Sequence, residues 1–216
     1  MSSNTLAIIP VRSLTTGKSR LAPAVTPDVR RDLTKRMLAI TLGACRNSEV
    51  IDQVLVISPD VDVLAFAHAI DHEVIGIRQN DPTPGLIPAL DQARRVGAVN
   101  RFDALLILFA DLPLVIGEDV ADLVGTPGQI VIAPDQHRAG TNALLLRRGP
   151  ADLSEFRFRF GVGSFAAHVD EARKLDIEPA IVELPGLGFD LDTPDDLGNL
   201  VSLDTAFMSR LRETGT

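Results

Sequence analysis

Short apolar runs of strand length recur along the chain, and most are separated by segments with a helical period. Continuous runs such as ALLILFA are typical of parallel strands buried on both faces. Two runs lie close together after Gln129, which indicates a mixed sheet in the second half. The predicted strands are Leu6–Val11, Val54–Ile57, Val74–Ile77, Ala104–Phe109, Ile130–Ala133, Ala143–Leu146 and Ala180–Leu184. We therefore expect one α/β domain over residues 1–216, a mostly parallel sheet with helices on both faces.

Helix starts are marked by a recurring polar-proline-acidic pattern. In Thr26-Pro27-Asp28, threonine is a good N-cap, proline suits the first helical position, and the acid complements the helix dipole. The same pattern recurs at Ser58-Pro59-Asp60 and at Thr193-Pro194-Asp195. Three helices are predicted to begin at these positions.

Composition and charge narrow the class of protein. The 216 residues are 45% hydrophobic, enough to bury a full core, and carry a formal charge of −8. That charge argues against nucleic acid or an anionic membrane as a partner. No apolar run approaches the roughly 18 residues that span a bilayer. The single Cys45 cannot form an internal disulfide, so a thiol in the core or at its boundary and a cytoplasmic location are expected.

The stretch TTGKSRLAP follows the first predicted strand and carries a cluster of cations. A phosphate-binding P-loop needs a glycine five positions before Gly17, where this chain has Arg12. Arg12, Lys18 and Arg20 could instead bind a polyphosphate through their charged side chains. Solvation of an ordinary surface loop is the alternative that the residues leave open.

Carboxylates follow two other strand-like segments. Asp111 comes directly after a buried strand, where a carboxylate needs a hydrogen bond or a cation. Asp190 and Asp192 flank one leucine and could approach the same hard cation. Mg²⁺ prefers few carboxylates together with phosphate oxygens and water, so these aspartates predict a magnesium-phosphate site. Capping of turns and helices is the alternative for each aspartate taken singly.

The stretch FRFGVGSFAAH contains Gly161 to Ala166, which formally match a dinucleotide-binding fingerprint. That fingerprint normally follows the first strand of a βαβ unit, whereas this stretch lies late in the chain. We favour a glycine-shaped loop that ends at Ser164 as a helix N-cap and binds a phosphate or carboxylate. The four histidines are too scattered to predict a metal site, although His68 and His72 could share a helix face.

Taken in order, the blocks IPVRSLTTGKSRLAP, ADLPL, APDQHRAGTNALLL, FRFGVGSFAAH and FDLDTPDDL resemble the 2-phospholactate/phosphoenolpyruvate guanylyltransferases of coenzyme F-420 biosynthesis. The resemblance covers nearly the whole chain. It implies a nucleotide-diphospho-sugar transferase (GT-A-like) fold, Mg²⁺ as the cofactor, and transfer of GMP from GTP to a phosphorylated three-carbon acid with release of pyrophosphate.

The resemblance also assigns roles to individual residues, with Lys18 and Asp111 expected to be catalytic. It implies nucleotide-phosphate binding by Arg12, Lys18 and Arg20, magnesium binding by Asp111, Asp190 and Asp192, and acceptor binding by Thr141, Gly161 and Ser164.

Several alternatives stay open at this point. Relatives usually carry a Leu-Asn pair where this chain has Leu86-Ile87, which puts the base preference in doubt because an apolar side chain makes no hydrogen bonds. The acceptor could be phosphoenolpyruvate, 2-phospho-L-lactate or 3-phosphoglycerate. A related nucleotidyltransferase, a glycosyltransferase with an Asp-x-Asp motif, and a non-catalytic nucleotide-binding module are the competing functions. A homodimer is a further open expectation.

Overall fold

The computed structural model describes residues 4–15, 17–80, 85–99, 102–204 and 207. Their strands form one seven-stranded sheet in the order β3-β2-β1-β4-β6-β5-β7. Only β6 runs antiparallel to its neighbours β4 and β5, and the other pairings are parallel. The strands are β1 Thr5–Pro10, β2 Gln53–Ser58, β3 Ile75–Arg78, β4 Ala104–Leu108, β5 Ile130–Pro134, β6 Thr141–Arg147 and β7 Ala180–Ile181.

All seven predicted strands are confirmed, as is the mixed sheet in the second half, where β5 and β6 pair antiparallel. The last strand is shorter than expected and ends at Ile181. Pro185 then begins a short helix, because proline suits the first helical position and cannot continue a strand ladder. Asp190 therefore follows a helix and not a strand, contrary to the sequence-based expectation.

Helices connect most of the strands, and two of the three predicted starts are confirmed. Thr26 and Thr193 are N-caps followed by proline at the first helical position. The helix predicted after Ser58 begins later, with Asp60 as its N-cap, because Ser58 still belongs to β2. The helices are α1 Pro27–Asn47, α2 Val61–Ile70, α3 Leu86–Val99, α4 Gly117–Gly125, α5 Ser164–Arg173, α6 Pro185–Gly188 and α7 Pro194–Leu203.

Helices cover both faces of the sheet, as predicted. One apolar cluster packs α1, α2 and α4 against one face, and a second packs α3 and α5 against the other. Cys45 lies fully buried in the first cluster, so its thiol is in the core and not at its boundary. Within the described residues, none of the helices combines the length and the apolar character needed to cross a bilayer.

The strand order places a crevice between β1 and β4. From β1 the chain proceeds outward to β2 and β3, and it then returns to the other side of β1 to form β4. In open α/β sheets, ligands bind where the strand order reverses in this way, outside the carboxyl ends of the strands. The segments that follow β1 and β4 carry the basic loop and Asp111, so the topology brings these distant parts of the sequence together.

Candidate active site

A cavity of about 860 Å³ lies at the carboxyl ends of β1 to β4. Its volume is within the range of sites that hold a nucleotide-sized ligand. Five of the predicted site residues line it, namely Arg12, Lys18, Arg20, Asp111 and Asp192. The cations follow β1, Asp111 follows β4 and Asp192 lies between α6 and α7, so the cavity presents both signs of charge to a ligand.

The basic loop after β1 is held in shape by its own backbone and by Asp60, the N-cap of α2. The Asp60 carboxylate accepts hydrogen bonds from the Ser13 hydroxyl at 2.8 Å and from the Leu14 N–H at 2.9 Å. The Gly17 N–H donates to the Ser13 carbonyl at 2.9 Å, and a Cβ atom on Gly17 would lie only 2.7 Å from that carbonyl oxygen. Glycine is therefore required for the close approach that forms this turn.

Lys18 adopts a left-handed backbone conformation, with φ 53° and ψ 37°. This conformation is disfavoured for a side chain without a compensating local bond, and such strain is concentrated at functional sites. Leu21, three residues later, is fully buried in a third apolar cluster. The turn at Gly17 and the buried Leu21 thus fix the loop at both ends and aim Lys18 into the cavity.

The Lys18 ammonium bridges two of the predicted metal-binding aspartates. Its Nζ donates to Asp111 Oδ2 at 3.0 Å and to Asp192 Oδ1 at 2.8 Å. Burial opposes the charge on Lys18, but the attraction of Asp111 and Asp192 prevails and raises the pKa of the lysine. Lys18 is therefore a fixed positive charge between two carboxylates that lie 81 residues apart in sequence.

The third aspartate, Asp190, belongs to the same group. Leu191 is fully buried, and its N–H donates to the Asp111 backbone carbonyl at 3.0 Å, which fixes the segment from Asp190 to Asp192 beside the end of β4. Burial raises the pKa of Asp190 to about 6, and repulsion by Asp111 and Asp192 adds to this shift. A side-chain hydrogen bond with Asn142 acts in the opposite direction. Lys18 thus pairs with Asp111 and Asp192, and Asp190 lies near enough to both for their negative charge to affect its pKa.

The sequence-based grouping of these aspartates agrees with their placement, whereas their role as magnesium ligands stays a prediction. Among the described residues, no three histidine, cysteine, aspartate or glutamate side chains are arranged as a ready metal-binding group. The two arginines of the basic loop lie farther out. Arg12 is exposed at the cavity wall, and Arg20 lies 3.7 Å from Asp192 Oδ2 with 74% of its side chain exposed.

The predicted acceptor-binding residues form a second group, centred on His168. Thr141 begins β6, and its Oγ1 lies 2.9 Å from His168 Nδ1. Ser164 lies one helical turn before His168 on α5, so both side chains lie on the same helix face. Gly161, with φ 138°, begins the turn that leads into this helix, a conformation that favours glycine.

The predicted N-cap at Ser164 is wrong by one residue. Gly163 is the N-cap, in a left-handed conformation with φ 71°, and Ser164 is the first helical residue with only 3% of its surface exposed. The Ser164 N–H donates to the Gly161 carbonyl at 3.1 Å. Ser164 is a natural prediction for the N-cap because serine is a common capping residue. Gly161 and Gly163 allow a tighter turn, which places the N-cap one residue earlier. The Ser164 hydroxyl, and not its N–H, is therefore the group left for a ligand.

The two groups of residues meet at Phe109, which lines the cavity at the end of β4. The Phe109 ring contacts the Phe160 ring with centroids 5.1 Å apart, and Phe160 in turn contacts His168 at 4.6 Å. The Phe109 N–H also donates to the Asn142 carbonyl, the residue after Thr141. Thr141, Gly161 and Ser164 are not among the described residues that line the main cavity, and they lie beyond this aromatic wall.

Sequence reasoning missed two side chains that support the site, Asn142 and Asp135. The buried Asn142 bonds the Leu187 carbonyl at 2.8 Å in addition to its contact with Asp190. Asp135 accepts hydrogen bonds from the N–H groups of His137, Ala139 and Gly140, which shapes the loop before Thr141. The block APDQHRAGTN contains both residues. The role of Asn142 depends on a contact with the distant Leu187, whereas the contacts of Asp135 are local to its own loop.

The substitution that put the base preference in doubt lies away from the main cavity. Ile87 is 36% exposed, while Leu86 and Ala89 of the same helix line the cavity wall together with Asn80. Ile87 is not among the described lining residues. The structure therefore gives Ile87 no direct contact with this space, and an amide is present nearby on Asn80.

Solved structures with similar folds include proteins whose descriptions name a nucleotide or a nucleotide sugar. A protein of Desulfovibrio desulfuricans G20, provisionally described as a nucleotide-diphospho-sugar transferase, matches with a TM-score of 0.70 at 18% identity over 97% of this chain and 90% of that chain. CMP:2-keto-3-deoxy-manno-octonic acid synthetase in complex with CTP matches with a TM-score of 0.62 at 14% identity, covering 94% and 99%. These likenesses confirm the predicted fold class.

Relatives found by sequence are more similar to this chain than these solved structures are. A phosphoenolpyruvate guanylyltransferase of Sphaerobacter thermophilus is 41% identical over 91% of this chain and 92% of its own length. A 2-phospho-L-lactate guanylyltransferase of Methanothermobacter thermautotrophicus is 36% identical over 91% and 84%. The profile of the family described as "Guanylyl transferase CofC like" matches residues 5–209. The chain therefore belongs to the CofC-like guanylyl transferase family, as its sequence blocks predicted.

Proposed function

We propose that the protein joins GMP from GTP to the phosphate of a three-carbon phospho-acid and releases pyrophosphate, as a step of coenzyme F-420 biosynthesis. Phosphoenolpyruvate is the acceptor in the name of the relative that is 41% identical, and 2-phospho-L-lactate in that of the relative at 36%. The observation that carries the proposal is the bridge of Lys18 between Asp111 and Asp192 at the mouth of a nucleotide-sized cavity.

The residues present fit a magnesium ion. Asp111 and Asp192 offer hard oxygen ligands that already converge on one cation, the Lys18 ammonium, and Asp190 adds a third carboxylate, whose pKa is raised by burial and by repulsion from Asp111 and Asp192. A bound Mg²⁺ would neutralise charge on the phosphates during transfer. Because the protein offers few carboxylates, phosphate oxygens and water would complete the coordination.

The reaction requires the protein mainly to position the two substrates and to neutralise negative charge. The acceptor phosphate is already anionic near pH 7, so no protein base is needed to generate the nucleophile. One of its oxygens attacks the α-phosphorus of GTP, the bond from that phosphorus to the β-phosphate bridging oxygen breaks, and pyrophosphate leaves. Lys18 lies where it can stabilise the developing charge, and Arg12 and Arg20 at the rim can hold the departing phosphates.

The group formed by Thr141, Gly161 and Ser164 is where we place the three-carbon acid. Thr141 and Ser164 are 4% and 3% exposed, and their hydroxyls are the polar groups that we assign to the acid. Two hydroxyls beside a glycine turn suit a carboxylate and a phosphate. Phe109 separates this group from the nucleotide cavity, which gives the two substrates adjacent sites.

Pyrophosphate release tests the proposal directly. Purified protein is incubated with Mg²⁺, GTP and phosphoenolpyruvate, 2-phospho-L-lactate or 3-phosphoglycerate, with each component omitted in turn and with ATP, CTP or UTP replacing GTP. We expect release only when GTP and at least one acid are both present. Binding of GTP without release for any acid would instead favour a non-catalytic nucleotide-binding module.

A matched pair of variants ties the activity to the proposed site. Lys18→Ala should abolish most of the release, whereas Lys35→Ala should leave it unchanged because the Lys35 ammonium lies over the Phe66 ring on the helical layer. Equal losses in the two variants would show that the assay reports general damage and not the Lys18 bridge.

A further inference from the structure

His168 is a fully buried histidine with a partner at each ring nitrogen. The Arg159 N–H donates to Nε2 at 2.9 Å, and Nδ1 lies 2.9 Å from Thr141 Oγ1. The ring is stacked on Phe156 at 6.1 Å and meets Phe160 edge-on at 4.6 Å. The imidazole is thus fixed in both position and rotation.

These contacts determine which ring nitrogen carries the proton. Because a backbone N–H can only donate, Nε2 must accept and therefore carries no hydrogen. The proton of the neutral ring is then on Nδ1, which donates to Thr141 Oγ1. Burial lowers the pKa of His168 to about 4, and of the charged groups that face it, Glu171 raises this pKa while Arg159 lowers it. The ring accordingly stays neutral at physiological pH.

The tautomer has a consequence for Thr141. A hydroxyl has one hydrogen to donate and two lone pairs to accept with. Since the Nδ1–H of His168 occupies a lone pair of Thr141 Oγ1, the hydroxyl hydrogen is turned away from the ring and is available to another acceptor. An anionic oxygen is the acceptor that gains most from such a donor.

His168 also holds together the three segments that carry the acceptor group. It lies on α5 one turn after Ser164, its Nδ1 bonds the start of β6, and its Nε2 bonds the extended segment that leads to Gly161. A histidine that served only to fill space in the core would not need hydrogen bonds that connect these three segments.

We propose that His168 is a positioning residue that orients the Thr141 hydroxyl as a hydrogen-bond donor to the phosphorylated acid. The inference rests on the proposed function, in which Thr141 contacts the acceptor. His168 acts through Thr141 and does not itself touch the substrate.

Two isosteric variants separate the two bonds of the ring. In His168→Asn the side-chain amide reaches the place of Nδ1 and can still donate to Thr141, but nothing accepts from the Arg159 N–H. In His168→Gln the amide oxygen reaches the place of Nε2 and accepts from Arg159, but the donor to Thr141 is lost. Each variant therefore loses one buried hydrogen bond, so their losses of stability should be similar.

The Michaelis constant for the acid should distinguish the variants. For His168→Gln we expect it to rise roughly ten-fold or more, the size expected for one hydrogen bond to a charged group, while the constant for GTP changes less than two-fold. His168→Asn should retain most of the acceptor affinity. In a Thr141→Val background, His168→Gln should have no further effect on the acceptor constant, because the hydroxyl that it orients is gone.

Three results would overturn the inference. The first is an equal rise of the acceptor constant in His168→Asn and His168→Gln, and the second is full additivity with Thr141→Val; both are expected of a purely structural histidine. The third is an imidazole ¹⁵N spectrum of the free protein that shows the proton on Nε2, whereas we expect it on Nδ1.

The proposed function can fail separately. If the wild type releases no pyrophosphate, calorimetric titration with phosphoenolpyruvate makes the same comparison of variants by affinity, and the inference stands if only His168→Gln weakens binding. Absence of binding by the wild type would overturn both the acceptor site and the role of His168 in it, whatever the tautomer.

Discussion

Replacement of Asp190 by asparagine should stabilise the protein while it impairs catalysis. Asp190 lies beside Asp111 and Asp192 and is partly buried, and these surroundings raise its pKa from 3.8 to about 6. Asparagine has nearly the same shape, keeps an oxygen that can accept from Asn142, and carries no charge. The substitution therefore removes the electrostatic cost and leaves the packing in place.

The size of the effect follows from the shift in pKa. One pH unit corresponds to about 1.4 kcal/mol, so the rise in the pKa of Asp190 from 3.8 to about 6 sets an upper limit of about 3 kcal/mol. Solvent at this partly exposed site reduces the effect, and we expect about 1–3 kcal/mol. The folded protein binds the Asp190 proton more tightly than the unfolded chain does. Its stability therefore falls as the pH rises from about 4 to 6, and the full cost is present above pH 6.

Denaturant unfolding at several pH values, without divalent cations, measures this effect. The Asp190→Asn protein should be more stable than the wild type at pH 7.5 and equally stable near pH 4. It should also release less pyrophosphate than the wild type. The exposed carboxylate of Asp122 on α4 provides the control, since Asp122→Asn should change stability little at either pH. An Asp190→Asn protein that is less stable at pH 7.5, or shifted equally at both pH values, would refute the reasoning.

Three further substitutions test the loop and the acceptor site. Lys18→Ala should raise the Michaelis constant for GTP by at least roughly ten-fold and change the constant for the acceptor less. An unchanged Michaelis constant for GTP in a folded variant would show that Lys18 is an ordinary solvated residue of a surface loop. Gly17→Ala should weaken GTP use and cost about 1–3 kcal/mol in unfolding experiments, because its Cβ would lie 2.7 Å from the Ser13 carbonyl oxygen; wild-type stability and kinetics would contradict this. Ser164→Ala should raise the acceptor constant only, and an unchanged constant would place the acid elsewhere.

The sheet was predictable because its strands are continuous apolar runs. Runs such as the one at β4 have few alternatives to a buried parallel strand, and helices marked by Thr26 or Thr193 follow from local capping. The wrong predictions concern the ends of strands and helices, whose positions depend on the neighbouring segment. β7 ends early because a proline helix follows it, and the N-cap of α5 is Gly163 and not Ser164 because glycine allows a left-handed turn.

The site was predictable in its residues but not in its connections. Ends of parallel strands meet at one edge of a sheet, so Lys18 and Asp111 could be grouped from the sequence, whereas Asp192 follows a helix and was grouped with them by the resemblance. No local pattern could show that Lys18 bridges the two aspartates, since that contact joins three distant segments. The same holds for His168, whose isolation in sequence argued against a metal site but said nothing about its bond to Thr141.

The most direct test of the central claim is the identity of the product. Protein, GTP, Mg²⁺ and each of the three acids are incubated and analysed by mass spectrometry, with Asp111→Asn as the parallel sample. We predict a new species with the mass of the acid plus GMP less one water, formed together with pyrophosphate by the wild type and strongly reduced in Asp111→Asn. Consumption of GTP to free GMP or GDP without any species that contains the acid would contradict the account.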